Sequence, residues 1–357
     1  MKNHMVKALI GLVFMMSCSK SIEDPEFSAG LEERGNDNHR NWNLANWVSD
    51  YTYTLSDGSH GTGIGQIDYE YSCVRPFGRP VSSTHIVHED GEVLFENVRT
   101  MSFNDNFMID AEHANEYGDE VVRTFHYDAD GKWTGITTEV NGEVLDEQIE
   151  IDLYGQVQSY TSGGVRYEYT WNANNARVLK IYVQATAELR AVENSLAFNQ
   201  SGLNDISRKV TKQTILKAFK NLQSMQGSAS YLRSKNTDEW VLVGIEEQSF
   251  DYNVIEPFRS AAKGYPGTTS DAGYYYLSKN LTVNYKAFRV EADGTPISEY
   301  YNYKLDSYSV KDNLPVNAHY TYNVFGYAED EAGNSIDYQE QGTLHFGYIS
   351  GCNQKEN

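Results

Sequence analysis

The heptapeptide Val165-Arg166-Tyr167-Glu168-Tyr169-Thr170-Trp171 decides the fold class of this chain. Large apolar side chains occupy every second position, and charged or hydroxyl-bearing side chains stand between them. Because neighbouring residues of a β-strand point to opposite faces, this alternation predicts a strand with one buried face and one wet face. Residues 67–73 alternate in the same way, and a period of two dominates residues 47–183.

Turn-forming pairs separate these predicted strands. Asp130-Gly131 and Asn141-Gly142 accept the positive φ angles that type I′ hairpin turns require, and Tyr154-Gly155 and Gly163-Gly164 continue the series. Strands return after Trp240, with a further turn at Ala332-Gly333; they are predicted at residues 240–245, 274–277, 281–290, 297–305, 318–327 and 344–349. The fold class predicted is mostly β, an antiparallel β-hairpin meander followed by a second β-rich region. One chain does not decide between one and two β domains.

Composition supports sheets and excludes some partners. The chain has 27 tyrosines, whose rings suit pleated strands and whose hydroxyls we expect to stay wet. The formal net charge is −21, and removal of Lys2 and Lys7 with a leader gives −23. Such an acidic surface keeps a protein soluble but repels phosphates, so we predict no nucleic-acid partner.

Two decapeptides repeat one hairpin pattern. Residues 127–136 and residues 151–160 each run from a strand end through an Asp and a turn glycine into the next strand, and residues 169–181 form a degenerate third copy. This pattern resembles the YD (Rhs-type) repeat and a group of Gram-negative surface lipoproteins of unknown function. The resemblance covers roughly residues 120–183 and implies hairpins stacked along a meander. A run of hairpins in another antiparallel fold is the alternative.

The N-terminus predicts a lipid anchor. Lys2 and Lys7 precede an apolar run over residues 8–16, which is too short to span a bilayer but suits a signal peptide. Met15-Met16-Ser17-Cys18 then resembles the lipobox of bacterial lipoproteins, which implies a signal peptide at residues 1–17 and lipidation of Cys18. Ser19 in the following position favours the outer membrane. The alternative is an ordinary secretory signal in which Cys18 is incidental.

The rest of the chain divides by composition. Polar residues 18–45 predict a flexible tether, residues 46–190 the hairpin region, residues 191–238 a helical connection and residues 239–350 the second β-rich region. Within the connection, apolar side chains at helical spacing predict a basic helix over residues 203–225. That helix either lies on a membrane or packs across a sheet with its lysines outward.

No metal or cofactor is predicted. His85 and His88 are close in sequence, but positions three apart on a strand point to opposite faces. Cys73 and Cys352 either form a disulfide that closes most of the chain or remain two free thiols. Spacing alone leaves that choice open.

The function predicted is non-enzymatic binding or adhesion at the cell surface, through a glycan or an envelope protein. One alternative is a glycan-binding or glycan-degrading accessory protein, and another is a structural subunit of an outer-membrane assembly. Aromatic side chains that would stack on sugar rings are the candidate ligand-binding residues: Tyr274, Tyr275, Tyr276, Tyr300, Tyr301 and Tyr303. Packing of these rings across neighbouring strands is the alternative reading.

Overall fold

The computed structural model describes residues 42–74, 78–116, 118–131, 133–152, 157–172, 175–184, 187–189, 192, 212–220, 240–260, 280–291 and 295–352. The predicted signal peptide, Cys18 and most of the predicted tether fall outside these residues. So do Tyr274, Tyr275 and Tyr276.

The described residues form seventeen antiparallel strands. Those before the middle of the chain are β1 Trp42–Leu55, β2 His60–Tyr71, β3 Pro80–Glu89, β4 Glu92–Phe103, β5 Ile109–Glu116, β6 Asp119–Tyr127, β7 Trp133–Val140, β8 Glu143–Val144 and β9 Glu147–Ile151. The others are β10 Val157–Ser162, β11 Val165–Asn172, β12 Asn175–Gln184, β13 Trp240–Ile255, β14 Asn280–Val290, β15 Pro296–Lys311, β16 Leu314–Glu329 and β17 Ser335–Ser350.

The strands form one sheet that closes on itself. Neighbours along the chain pair from β1 to β8 and from β9 to β17, and β1 also pairs with β17 along its length. The two remaining ends of this ladder, β8 and β9, are separated only by Leu145 and Asp146. The Leu145 N–H donates to the Thr138 carbonyl of β7 at 2.9 Å, which continues the pairing up to this break. Because the sheet curves round in this way, it has an inner face and an outer face.

The predicted fold class, a mostly β antiparallel meander, is confirmed. The two β-rich regions belong to the same sheet, because β12 pairs with β13 and β1 pairs with β17. β1 begins at Trp42, so residues 42–45 form strand where the sequence predicted tether. The strands of the second region also extend beyond their predicted ends, as β15 does to Lys311. The equivalence of the hairpins to YD repeats stays a prediction.

Hairpin chemistry explains the meander. Asn141 and Gly142 both have positive φ angles, 50° and 81°, as a type I′ turn requires. Gly131 at φ 76° and Gly333 at φ 82° lie in two further turns that the sequence predicted. Asp312 and Asn313, at φ 53° and 58°, make a turn between β15 and β16 that lacks glycine altogether and that the sequence analysis missed.

Tyrosine rings fill the interior to an extent that composition did not suggest. The buried tyrosines are Tyr51, Tyr69, Tyr71, Tyr160, Tyr167, Tyr169, Tyr285, Tyr300, Tyr301, Tyr303, Tyr320, Tyr322, Tyr327 and Tyr338. We expected their hydroxyls to stay wet, but several donate to buried carboxyl groups, which replaces the lost hydrogen bonds to water. A closed sheet of many strands has a wide interior, and large rings that find polar partners can fill it.

A helix from the middle of the chain contributes to the same core. Residues 212–220 are helical, which lies within the predicted residues 203–225. Ile215 and Phe219, one turn apart, are fully buried in the main hydrophobic cluster, while Lys217 and Lys220 are exposed. This is the arrangement expected for a helix packed on the sheet with its lysines outward. None of the helices in the described ranges combines the length and apolar character needed to cross a bilayer.

Cys73 and Cys352 form a disulfide, with their Cα atoms 5.1 Å apart. The sequence left this pairing open. The bond joins the end of β2 to the end of β17 across 279 positions of the chain. By loop-closure entropy a cross-link of that span stabilises the fold by about 5 kcal/mol.

Candidate functional site

A groove of about 630 Å³ lies on the outer face of the sheet. Its lining comes from six neighbouring strands, in the order β15, β16, β17, β1, β2 and β3, so it runs across the strands. Five inter-strand spacings correspond to a length of about 24 Å on a flat sheet. Such a groove presents side chains from both ends of the sequence to one ligand.

The outward side chains of the groove form two rows across the strands. In one row, Asp50 of β1 lies between Thr343 of β17 and Ile64 of β2, with His319 and His88 at the two ends. The second row is two residues further along each strand, about 7 Å away. It runs through Thr321, Gln341, Thr52 and Thr62.

Two glycines on the inner face lie beneath the groove, where they leave room for tyrosine rings against the strand backbones. A Cβ atom on Gly63 would lie 2.1 Å from Tyr51 Cζ, and one on Gly342 would lie 2.6 Å from Tyr320 Cε1. Both glycines are therefore required, because the two tyrosine rings lie directly against the strand backbones. Tyr51 and Tyr320 contribute to the groove lining from below, although each is buried.

Three carboxylates lie along the groove and differ in their hydrogen bonds within the protein. Asp306 accepts a hydrogen bond from Thr321 Oγ1 at 2.5 Å and one from Lys304 Nζ at 3.0 Å, and the first of these contacts lowers the pKa of Asp306. Asp90 accepts a hydrogen bond from the Thr62 amide at 3.2 Å. Asp50 is exposed at the centre of its row. The groove is therefore rich in hydrogen-bond acceptors, and all three carboxylates are exposed.

The histidines at the ends of the groove are not arranged as a metal site. His319 Nδ1 lies 3.2 Å from Thr343 Oγ1, and His88 lies on the outer face opposite Ile64. His85 pairs with the buried Ile67, so His85 and His88 point to opposite faces, as the sequence predicted. Within the described part of the chain no three His, Cys, Asp or Glu side chains are placed to hold a metal ion.

Beneath the groove lies a buried carboxyl group. Glu340 of β17 is fully buried and accepts hydrogen bonds from the hydroxyls of Tyr320 and Tyr338. Burial raises the pKa of Glu340 to about 8, against the opposing effect of these two hydrogen bonds. Ser49 Oγ lies 2.9 Å from the Tyr320 hydroxyl, which extends the network to β1. The groove floor and this network share Tyr320.

The three described tyrosines that were predicted to bind a ligand do not line the groove. Tyr300, Tyr301 and Tyr303 are buried inside the sheet, at 0%, 1% and 6% exposure, where a ligand on the outer face does not reach their rings. The Tyr300 and Tyr301 hydroxyls donate to Glu246 at 3.4 and 3.3 Å, and the rings of Tyr285 and Tyr301 stack with centroids 5.3 Å apart. The structure thus shows the cross-strand packing that was the alternative reading.

Sequence reasoning did not single out Asp50, Gln341 or Thr343. Each is an ordinary polar residue at an outward position of a strand, and no local motif marks it. The available signal was the pair of glycines in Gly61-Thr62-Gly63, which lies within β2. Asp50, Gln341 and Thr343 lie in one site because β1 pairs with β17, which brings together strands from the two ends of the sheet's sequence.

Comparisons with known proteins leave the family open. No protein-family model and no curated protein matches this chain. Among solved structures, a porin-like protein from Bacteroides uniformis is similar, with 10% identity over 86% of this chain and 96% of the other, and a TM-score of 0.40. A "beta-barrel-like protein" of a domain of unknown function from Brucella abortus matches with 11% identity over 85% of this chain and 99% of the other, and a TM-score of 0.18.

Proposed function

We propose that this chain is a lipid-anchored protein of the bacterial outer membrane that binds a ligand through the cross-strand groove and catalyses no reaction. The groove is the observation that carries the proposal. It is open to solvent, polar side chains from six strands line it, and buried tyrosines lie beneath it. A preformed concave surface with a few directed polar groups is typical of a binding site.

The sequence supplies the location. A positive segment, a short apolar run and Ser17-Cys18 precede the first strand, which starts at Trp42. Acylation of Cys18 would hold the sheet at a membrane through the intervening residues. Two acyl chains on one terminus suffice for stable anchoring, whereas a single chain binds only reversibly.

The anchor is tested by Cys18→Ser. We expect this variant to leave the membrane fraction, because the thiol that carries the lipid is gone. Cell fractionation with quantitative immunoblotting measures the change, and mass spectrometry of the unchanged protein should find an acylated Cys18 at the mature terminus. Full retention of Cys18→Ser in membranes would contradict the anchor.

The groove is tested by Asp50→Ala combined with Gln341→Ala. We expect the intact mature chain, purified in detergent, to capture an envelope component that the double variant no longer captures. The matched control is Asp110→Ala with Gln148→Ala, which removes the same kinds of side chain from exposed positions of β5 and β9. Thermal unfolding of both variants verifies the fold. If the groove variant captures as much of the component as the unchanged protein does, and the two bind at a fixed stoichiometry, the result would favour a structural subunit instead.

A further inference from the structure

We propose that the ligand of the groove is a linear, uncharged glycan that lies across the strands. This inference rests on the proposed binding function and names its ligand class. The shape gives the first argument: the groove follows two parallel rows of side chains over six strands and is open at its surface. An extended chain of several sugar units matches a long, narrow, open groove, whereas a compact small molecule would contact only a part of it.

The side chains of the groove match sugar hydroxyls. Its lining includes the hydroxyls of Thr52, Thr62 and Thr343, the amide of Gln341 and the carboxylate of Asp50. Hydroxyl groups both donate and accept, so a polyol satisfies this mixed set of donors and acceptors along its whole length. Ile64, which is 45% exposed, offers one apolar contact for the carbon face of a sugar ring.

Charge argues against acidic ligands. None of the side chains lining the groove is a lysine or an arginine. The whole chain carries a formal net charge of −21, and Asp50, Asp90 and Asp306 concentrate negative charge on the groove itself. A uronic acid, a sulfated glycan or a phosphate would therefore meet repulsion without a lysine or an arginine in the lining to compensate it.

The hydrogen bonds argue against a basic peptide. A strongly cationic ligand needs several carboxylates whose charge is not already compensated, and in this groove Lys304 compensates the charge of Asp306. Asp306 holds Lys304 and Thr321, and Asp90 holds the Thr62 amide. Asp50 is exposed at the centre of its row, and a carboxylate beside hydroxyls and an amide accepts hydrogen bonds from the hydroxyls of a neutral sugar.

The first experiment is binding of the intact mature chain, in detergent, to an array of neutral, amino-containing and acidic oligosaccharides. We expect neutral oligosaccharides to bind and acidic ones not to bind. Calorimetry on the strongest neutral oligosaccharide should then give an affinity that stays within twofold between about 0.05 and about 0.5 M salt, because uncharged groups are not screened. Preference for acidic sugars, or an affinity that falls steeply with salt, would overturn the inference.

Variants at Asp50 separate hydrogen bonding from charge. Loss of one hydrogen bond to a charged group lowers affinity about tenfold, so we expect Asp50→Ala to bind about tenfold more weakly. Asp50→Asn keeps an acceptor and should lose less than Asp50→Ala, and the control Asp110→Ala should bind as the unchanged protein does. Equal loss in Asp50→Asn and Asp50→Ala, or no loss in either, would contradict a neutral sugar at this position.

The outcomes also distinguish this inference from the proposed function. If no oligosaccharide binds but capture of an envelope component still depends on Asp50 and Gln341, the groove is a binding site for another class of ligand and only the glycan inference fails. If neither glycan binding nor capture depends on the groove, both proposals fail.

Discussion

Two regions of the sheet bury a carboxyl group in different ways. Between β5 and β6, Glu112 is fully buried and accepts a hydrogen bond from Arg123 Nη1 at 2.8 Å, with Arg99 Nε at 3.6 Å. On β13 and β17, Glu246 and Glu340 are equally buried, but they accept hydrogen bonds from tyrosine hydroxyls. The first region pairs an acid with cations, whereas the second surrounds an acid with neutral donors.

The acids surrounded by tyrosines respond to pH. Burial raises the pKa of Glu246 to about 7 and that of Glu340 to about 8, and the hydrogen bonds from tyrosine hydroxyls offset only a part of this effect. Both groups are therefore protonated in the folded protein at pH values where the unfolded chain has lost the proton. A group of this kind contributes stability below its unfolded pKa, and that contribution is lost as pH rises through the folded pKa.

The largest expected effect comes from breaking the ion pair between Arg123 and Glu112. Arg123→Met should lower the free energy of unfolding by about 3–5 kcal/mol, because it leaves the buried Glu112 carboxylate without its nearest cation. Urea denaturation at pH 7 measures the change. The half-buried Arg166→Met is the control, since its ion-pair partners Glu150 and Glu168 are exposed and such pairs contribute little. Equal effects of the two substitutions would remove the contrast between the regions.

The tyrosine-lined acids are tested by Glu340→Gln. The amide resembles the protonated acid, so we expect little change in stability near pH 5. At pH 8 the variant should be more stable than the unchanged protein by roughly 3 kcal/mol, because the unchanged protein must keep a proton that the unfolded chain releases.

Glu246→Gln sharpens the same test. Its advantage should be smaller and should reach its full size about one pH unit lower, since the pKa of Glu246 is raised to about 7. Thermal unfolding of the three proteins between pH 5 and pH 9 measures both effects. A difference that does not depend on pH would mean that these carboxyl groups are ionised in the folded state.

The smallest expected effect concerns a single hydroxyl. Tyr301→Phe should cost about 1 kcal/mol, because its hydroxyl donates to Glu246 over a long distance of 3.3 Å. Tyr167→Phe is the matched control: Tyr167 is also buried, but its hydroxyl has no hydrogen-bond partner within the described ranges. That control should be neutral or slightly stabilising. Destabilisation by Tyr167→Phe as large as by Tyr301→Phe would show that ring packing, not hydrogen bonding, accounts for both.

The fold could be predicted further than the site. Alternation along residues 165–171 predicted β11, and Asn141-Gly142 predicted a turn between β7 and β8, because both features depend only on local geometry. The positions of the tyrosines at residues 300–303 were harder to predict, since the same residue type occurs at the surface and in the core. Two consecutive residues, Tyr300 and Tyr301, are both buried at an irregularity in the pairing of β14 and β15, which alternation alone does not predict.

By itself the sequence determined that this is an antiparallel β protein and where many of its turns lie, whereas the lipid anchor at Cys18 stays a prediction. These properties depend on residues a few positions apart. Tertiary structure alone decided that the sheet closes through β1 and β17, that Cys73 bonds Cys352, and that Asp50 and Thr343 share a groove. The physical reason is that strand pairing between distant segments is selected by burial of the whole inner face, which no short stretch of chain contains.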